Sequence, residues 1–228
     1  MEAFAQAMID ALTHPEREVF FNMQAVGGPT IPCSARDFLS LRPQEEDIIK
    51  QSLSSLEAPR ILDIGCCVGR HLRFIQGIKA QSHLHGVEIN ATLRNICAEA
   101  LPNATLVKQL GDIPDQHKFH LILLMGNGLG IFGSEQSTRN GLRRIHALLA
   151  QDGSLLLESG NPFRQNFTEI KHYIEYCGLI DDPFLWGYAS ENWVCRELED
   201  AGFVVRAICQ ISRPGPFFIF YARHHSSP

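Results

Sequence analysis

The chain has 228 residues, of which 45% are hydrophobic and 20% charged, with a formal net charge of −5. That length and balance suit one large domain whose core needs no disulfide or metal staple, and they exclude a disordered or low-complexity chain. The acidic excess argues against a broad basic footprint, so nucleic acid is not an expected partner, although Arg143-Arg144 offers a local cationic pair.

The first ten residues lack the basic start and apolar core of an export signal, and no apolar stretch is long enough to span a membrane. The 7 cysteines are scattered without Cys-x-x-Cys spacing. Reduced thiols in the cytoplasm are the expectation, with no membrane partner. Cys66-Cys67 reads as a pair of small buried residues, and His83-x-His85 lacks a third ligand, so no metal is expected.

Residues 1–57 read as an interrupted helical cap. Phe4, Met8, Ile9 and Leu12 recur at helical spacing until His14-Pro15, and Val26-Gly-Gly-Pro-Thr-Ile-Pro32 is a loop. Pro43 followed by Glu45, Glu46 and Asp47 suits a helix start that carries Ile48, Ile49, Leu53 and Leu56 toward a core. From residue 60, strands and helices alternate. Arg60–Ile64, Leu84–Glu88, Thr105–Lys108, Phe119–Met125 and Ser154–Glu158 read as strands. Between them lie helices from about Gly69, over Ala91–Ala100 and over Gln136–Leu149, with Asp152-Gly153 as a turn. Apolar strands alternating with helices predict a parallel sheet covered on both faces.

Residues 160–192, with Asn161-Pro-Phe163 and Asp181-Asp-Pro183, read as a lid-like insertion. A helix over Glu191–Ala201 and strands Phe203–Ile211 and Pro216–Tyr221, joined by Ser212-Arg-Pro-Gly-Pro216, close the chain as an antiparallel hairpin. The expected fold is a doubly wound α/β domain over residues 1–228. Its mostly parallel seven-stranded sheet has a core at 58–160, an N-terminal helical cap and a closing segment at 193–228.

The chemistry-bearing segment is Ile61-Leu-Asp-Ile-Gly-Cys-Cys-Val-Gly69, where a strand turns on glycine into a helix at the sheet's carboxyl edge. A dinucleotide fingerprint aligned on Gly65 requires glycine at positions 67 and 70, where this chain has Cys67 and Arg70. The segment instead resembles motif I of the class I S-adenosylmethionine (SAM)-dependent methyltransferases, Asp-x-Gly-x-Gly-x-Gly, with Asp63, Gly65 and Gly69 matching and Cys67 departing at the central glycine. Gly111-Asp112-Ile113 resembles the family's Gly-Asp-Ala/Ile segment. Phe119-His120 resembles its fourth-strand Phe-Asp, with His120 in place of the aspartate.

The resemblance implies SAM as co-substrate, held by Asp63, Gly65, Cys66, Gly69, Glu88, Ile89, Asp112, Ile113, Met125 and Gly126. Glu88 would accept the ribose hydroxyls, Asp112 would meet the adenine amino group, and the Ile113 N–H a ring nitrogen. As plain strand-end chemistry, Glu88 reads as a solvated acid and Asp112 as a turn cap.

Gly126-Asn127 is similar to the Gly-Asn segment of small-molecule N-methyltransferases of the glycine N-methyltransferase type, whereas the Asn-Pro-Pro-Tyr of base-modifying enzymes is absent. Asn161-Pro-Phe163 falls after the fifth strand, too late to substitute for it, and Pro32-Cys33 precedes the sheet. The expected partner is a small-molecule acceptor with an N or O nucleophile. Asn127, Glu158, Asn161 and Tyr188 are candidates to position it, and Phe20, Phe21, Trp186 and Trp193 are candidates for an apolar lid. No general base stands out. The rival readings are a protein that binds SAM or S-adenosylhomocysteine without catalysis, and a methyltransferase acting on protein or RNA.

Overall fold

The strand and helix alternation beginning at residue 60 builds the sheet that organises the molecule. The computed structural model describes residues 1–163, 165–211 and 215–224. In chain order the elements are α1 (Glu2–Thr13), β1 (Phe20–Ala25), β2 (Thr30–Ser34), α2 (Arg36–Leu39), α3 (Pro43–Leu53), β3 (Arg60–Ile64), α4 (Arg70–Ile78), β4 (His83–Val87), α5 (Ala91–Ala100), β5 (Thr105–Val107) and β6 (Phe119–Leu124). They continue with α6 (Glu135–Leu148), β7 (Leu149–Gly160), β8 (Phe167–Tyr176), β9 (Leu179–Ile180), β10 (Phe184–Ala189), α7 (Glu191–Asp200), β11 (Phe203–Gln210) and β12 (Phe217–His224).

Seven strands form the main sheet in the order β11-β12-β7-β6-β3-β4-β5. The pairs β3–β4, β4–β5, β3–β6 and β6–β7 are parallel, while β12 runs antiparallel to both β7 and β11. Side chains alternate across it. Ile61 and Leu121 pack with Ile49, Leu53, Leu72, Ile75 and Cys97 from α3, α4 and α5. Leu62 and Ile122 pack on the opposite face with Leu142, Ile145, Val194 and Leu198 from α6 and α7. Burial of this kind is worth roughly 1.5–3 kcal/mol per large aliphatic side chain. The doubly wound sheet and its antiparallel hairpin are as expected; most of the hairpin's connection, Ser212-Arg-Pro-Gly-Pro216, lies outside the described residues.

Two local expectations are corrected. The N-terminal segment is helical at α1 and α3, but between them β1 and β2 pair antiparallel, from Phe20 opposite Ser34 to Gln24 opposite Thr30. Strand β1 then pairs with β8, so residues 1–57 and 160–192 together build a second sheet in the order β10-β8-β1-β2, with β9 beside β8. The second partner of β1, β8, lies more than a hundred residues downstream, where local periodicity carries no signal. Asp152-Gly153 is also not a turn preceding the strand. Strand β7 starts at Leu149 and shifts register against β6 between Phe119 and Leu121. Gly153 fits there because a Cβ would lie 2.7 Å from the Phe119 carbonyl oxygen.

The second sheet packs on the loop after β6. A Cβ on Gly130 would meet Trp186 Nε1 at 2.0 Å, and one on Gly187 would meet the Gly133 oxygen at 2.9 Å. Of the lid candidates, Trp186 therefore lies over that loop. Phe21 is buried against Phe4 and Phe38, Trp193 is buried in the main core, and Phe20 is exposed.

Candidate active site

Strands β4 and β5 step outward on one side of β3, whereas β6 and β7 lie on the other. The carboxyl ends of β3 and β6 therefore flank a topological switch point, where open α/β sheets bind ligands. The turn leaving β3 is built from left-handed backbone: Gly65 at φ 76°, Cys67 at 52° and Gly69 at 82°. The Gly65 and Cys66 N–H groups both donate to the Val87 oxygen, at 2.9 and 3.0 Å, which ties the turn to β4. Gly69 caps α4, and a Cβ there would come within 2.6 Å of Cys97 Sγ on α5. Cys67 occupies a left-handed position without being glycine, a conformation L-residues adopt at a cost of about 1–2 kcal/mol. Its thiol is pushed up to about 12 by burial, with the Glu88 charge adding to it. It is a packed, protonated side chain and not a nucleophile.

Glu88 closes the turn. Its Oε2 accepts the Cys67 N–H at 3.0 Å and its Oε1 accepts the Asn90 N–H at 2.8 Å. The carboxylate is buried rather than solvated, and burial pushes its pKa up against those two donors and Arg94. The neighbouring Ile89 side chain is exposed. Farther along the same edge, Asp112 accepts the Gln109 N–H and side-chain amide, both at 3.1 Å. The Ile113 N–H reaches the Leu110 oxygen at 3.3 Å, and its side chain is buried. Asp112 therefore acts as a cap in this arrangement, as a turn residue would. Arg144 is engaged nearby by Asp115 and the Ile113 carbonyl.

Across the switch point, Met125 is buried and Gly126 and Asn127 are left-handed at φ 72° and 56°. The Gly126 N–H donates to Glu158 Oε2 at 3.0 Å. Asn127 is 6% exposed, and its Oδ1 has no partner among the described residues. A buried amide oxygen left unpaired costs about 1–3 kcal/mol, so its position is informative.

An ionic chain not anticipated from the sequence joins the two sides. Arg42 spans Glu45 and Glu158. Arg70 Nη2 meets Glu45 Oε1 at 3.0 Å, and His71 Nδ1 lies 3.1 Å from Asp63 Oδ2. Glu45 and Glu158 are both wholly buried. Burial pushes the Glu45 carboxyl up, but His71, Arg42 and Arg70 outweigh it and hold it well below the usual carboxylate range. Burial lowers His71, yet Asp63 and Glu45 raise it above the usual imidazole value. The visible clue is the spacing Arg42-Pro43-x-Glu45, in which Glu45 accepts the Arg42 N–H at 2.7 Å as in a capping box.

The remaining candidates divide. Asn161 is consumed structurally: its Nδ2 faces the Gln165 oxygen, Thr168 Oγ1 and the Tyr188 oxygen, and its Oδ1 accepts the Phe163 N–H. Tyr188 is buried with its hydroxyl 3.1 Å from His172 Nε2. Paired residues share a face of a sheet, so Tyr188, Trp186, Phe184 and His172 line the face that packs on the Gly130 loop.

No family model matches the sequence, and neither does any curated protein. Solved structures do. A SAM-dependent methyltransferase from Bacteroides fragilis, in complex with S-adenosyl-L-homocysteine, is similar at a TM-score of 0.78 and 18% identity over 97% of this chain and 94% of that one. CalS10, a SAM-bound amino pentose methyltransferase from Micromonospora echinaspora, is similar at 0.59 and 17% over 79% and 89%. The sugar N-methyltransferase KedS8 from Streptoalloteichus gives 0.58 and 12% over 83% and 89%. Strand order, the reversed last strand and the turn at the switch point agree with these similarities: the chain has the class I SAM-dependent methyltransferase fold.

Proposed function

We propose that this protein transfers a methyl group from SAM to a nucleophilic atom of a small molecule. The observation that carries the reading is the left-handed turn from Gly65 to Gly69 braced by Glu88 at the switch point. Each Glu88 oxygen holds one backbone donor and retains a lone pair, which suits a ribose diol. Gly65, Cys66 and Gly69 would cradle the amino-acid side, with Asp63, Met125 and Gly126 beneath it. Ile89, Asp112 and Ile113 would flank the adenine. A small acceptor is supported by the second sheet packing on the loop that leaves β6 and by neighbours that are sugar methyltransferases.

Bound SAM supplies an electrophilic methyl carbon on a sulfonium, so the protein's task is alignment and exclusion of water. Orientation of this kind is worth up to roughly 7–11 kcal/mol. The acceptor lone pair forms the new bond to carbon as the C–S electrons return to sulfur, and the acceptor's surplus proton leaves afterwards. The unpaired Asn127 oxygen is suited to accept an N–H or O–H of the acceptor and aim its lone pair. Tyr188, backed by His172, offers a second polar contact from the roof, and Trp186 helps keep water out. Glu158 fixes Gly126 rather than touching the acceptor.

The test is calorimetric titration with SAM, followed by incubation with methyl-labelled SAM and a set of small amines and alcohols. Saturable binding weakened by Glu88→Gln, together with label transfer, supports the reading. Binding without transfer to any acceptor points to a SAM-binding protein without catalysis. No binding at all sinks the proposal.

A further inference from the structure

A cleft of about 360 Å³ opens between α1, α2 and α4, and its lining shares no residue with the Gly65–Gly69 turn, Glu88 or the loop after β6. Its wall is apolar, with Leu12, Val19 and Leu39, while Arg17, Arg36 and Arg73 reach it from three separate segments. No acidic residue lines it. Neither Arg36 nor Arg73 takes part in an ion pair among the described residues, and Arg17 has only the exposed Glu16 at 3.7 Å. In a chain of net charge −5, three guanidinium groups gathered on one recess with so little compensation constitute a local field that favours an anion.

Arg70, one helical turn before Arg73, behaves differently. Its Nη1 donates to the Ser40 carbonyl at 2.9 Å and its Nη2 to Glu45. Ser40, which follows α2, itself lines the cleft, so its contact with Arg70 links the recess to the ionic chain. We propose that the cleft is a second binding site, for a small organic phosphate carrying an apolar body. Guanidinium forks match phosphate oxygens in pairs, which a single ammonium does not. The volume falls within the range of small-ligand sites, and the apolar wall takes the part of the ligand that carries no charge. An extended polyanion is a poorer fit, because it would need a basic stripe rather than one recess.

The experiment uses the full chain and phenyl phosphate as probe, titrated calorimetrically at low salt beside inorganic phosphate and phenol. Saturable binding of phenyl phosphate, about tenfold tighter than either fragment, is expected. Arg36→Gln combined with Arg73→Gln should weaken it by tenfold or more, while melting temperature and SAM affinity stay unchanged. Arg17→Gln, at an exposed position, gives an independent and smaller loss should the double variant fold poorly. No saturation by about 10 mM overturns the proposal, as does equal binding of phenol, equal binding of inorganic phosphate, or undiminished binding by the variants.

Discussion

The Cys67 N–H meets Glu88 Oε2 at 3.0 Å while Cys67 itself stands in left-handed backbone at φ 52°. The turn is thus held in a conformation natural to glycine by a carboxylate from the next strand. Cys67→Gly removes the backbone cost but also a buried thiol and some unfolded-state restriction, so stability by urea denaturation should change by less than about 1 kcal/mol. Cys67→Val places a β-branched residue at positive φ and should cost about 2 kcal/mol or more. A valine variant as stable as the parent would show that the turn is not left-handed at this position.

Glu88→Ala should be costlier than its charge alone implies. It leaves the buried N–H of Cys67 and that of Asn90 without their acceptor, at about 1–3 kcal/mol each. Glu88→Gln keeps one strong acceptor and should fold, with SAM affinity down by tenfold or more. Thermal melts alongside calorimetry separate the two effects.

Arg42→Ala strands the wholly buried Glu158 without this cation. Breaking such a pair costs about 3–5 kcal/mol in fully buried settings; the partial exposure of Arg42 lowers the expectation to about 2–4 kcal/mol. Arg42→Lys should recover only part, because one ammonium does not span Glu45 and Glu158 as the fork does. Equal stability of the alanine and parent proteins in urea would refute this role.

The ionic chain also predicts pH dependence. Glu45 has a depressed pKa, so it adds stability above the unfolded-state value of about 4.3 and loses it as pH falls through the folded-state value. His71 has a raised pKa, so its contribution is complete below about 6.5 and fades as pH rises through its folded-state value. Melting temperature should therefore drop on both sides of mildly acidic pH. Glu45→Gln should flatten the acid limb; an unchanged limb would place the acid sensitivity elsewhere.

Gly130→Ala drives a methyl group into the Trp186 ring, where the Cβ would sit 2.0 Å from Nε1. Overpacking of this sort costs about 1–3 kcal/mol, and here it should lift the second sheet from the Gly130 loop. Trp186 emission should shift to the red, while the buried Trp193 remains as it was. Identical spectra would mean the two surfaces are not in contact.

The main sheet was readable in advance because each of its strands is a local apolar run bounded by glycine, proline or a helix with its own period. The turn at Gly65–Gly69 and Glu88 stood out for the same reason, since turn chemistry is written in adjacent residues. Strands β1 and β2 escaped because they look like a broken helix until β8 gives β1 a second partner and β10 extends the sheet beyond it. Arg42, Arg70 and His71 escaped because an ion pair has no sequence period, and the Arg42–Glu158 contact spans 116 positions. Asn161 looked like a candidate for the site, but its amide is spent fastening the β7 exit to β8 and β10.

One oxygen atom, Glu158 Oε2, receives both the Gly126 N–H and the Arg42 guanidinium. The segment ahead of the main sheet is thereby structurally tied to the loop after β6, not an appendage resting above it. A shortened protein starting near residue 58 would keep every glycine of the turn and still lack the counter-charge that seats the opposite bank. Grafting this core onto a different N-terminal region would require that region to bring its own cation to the same spot.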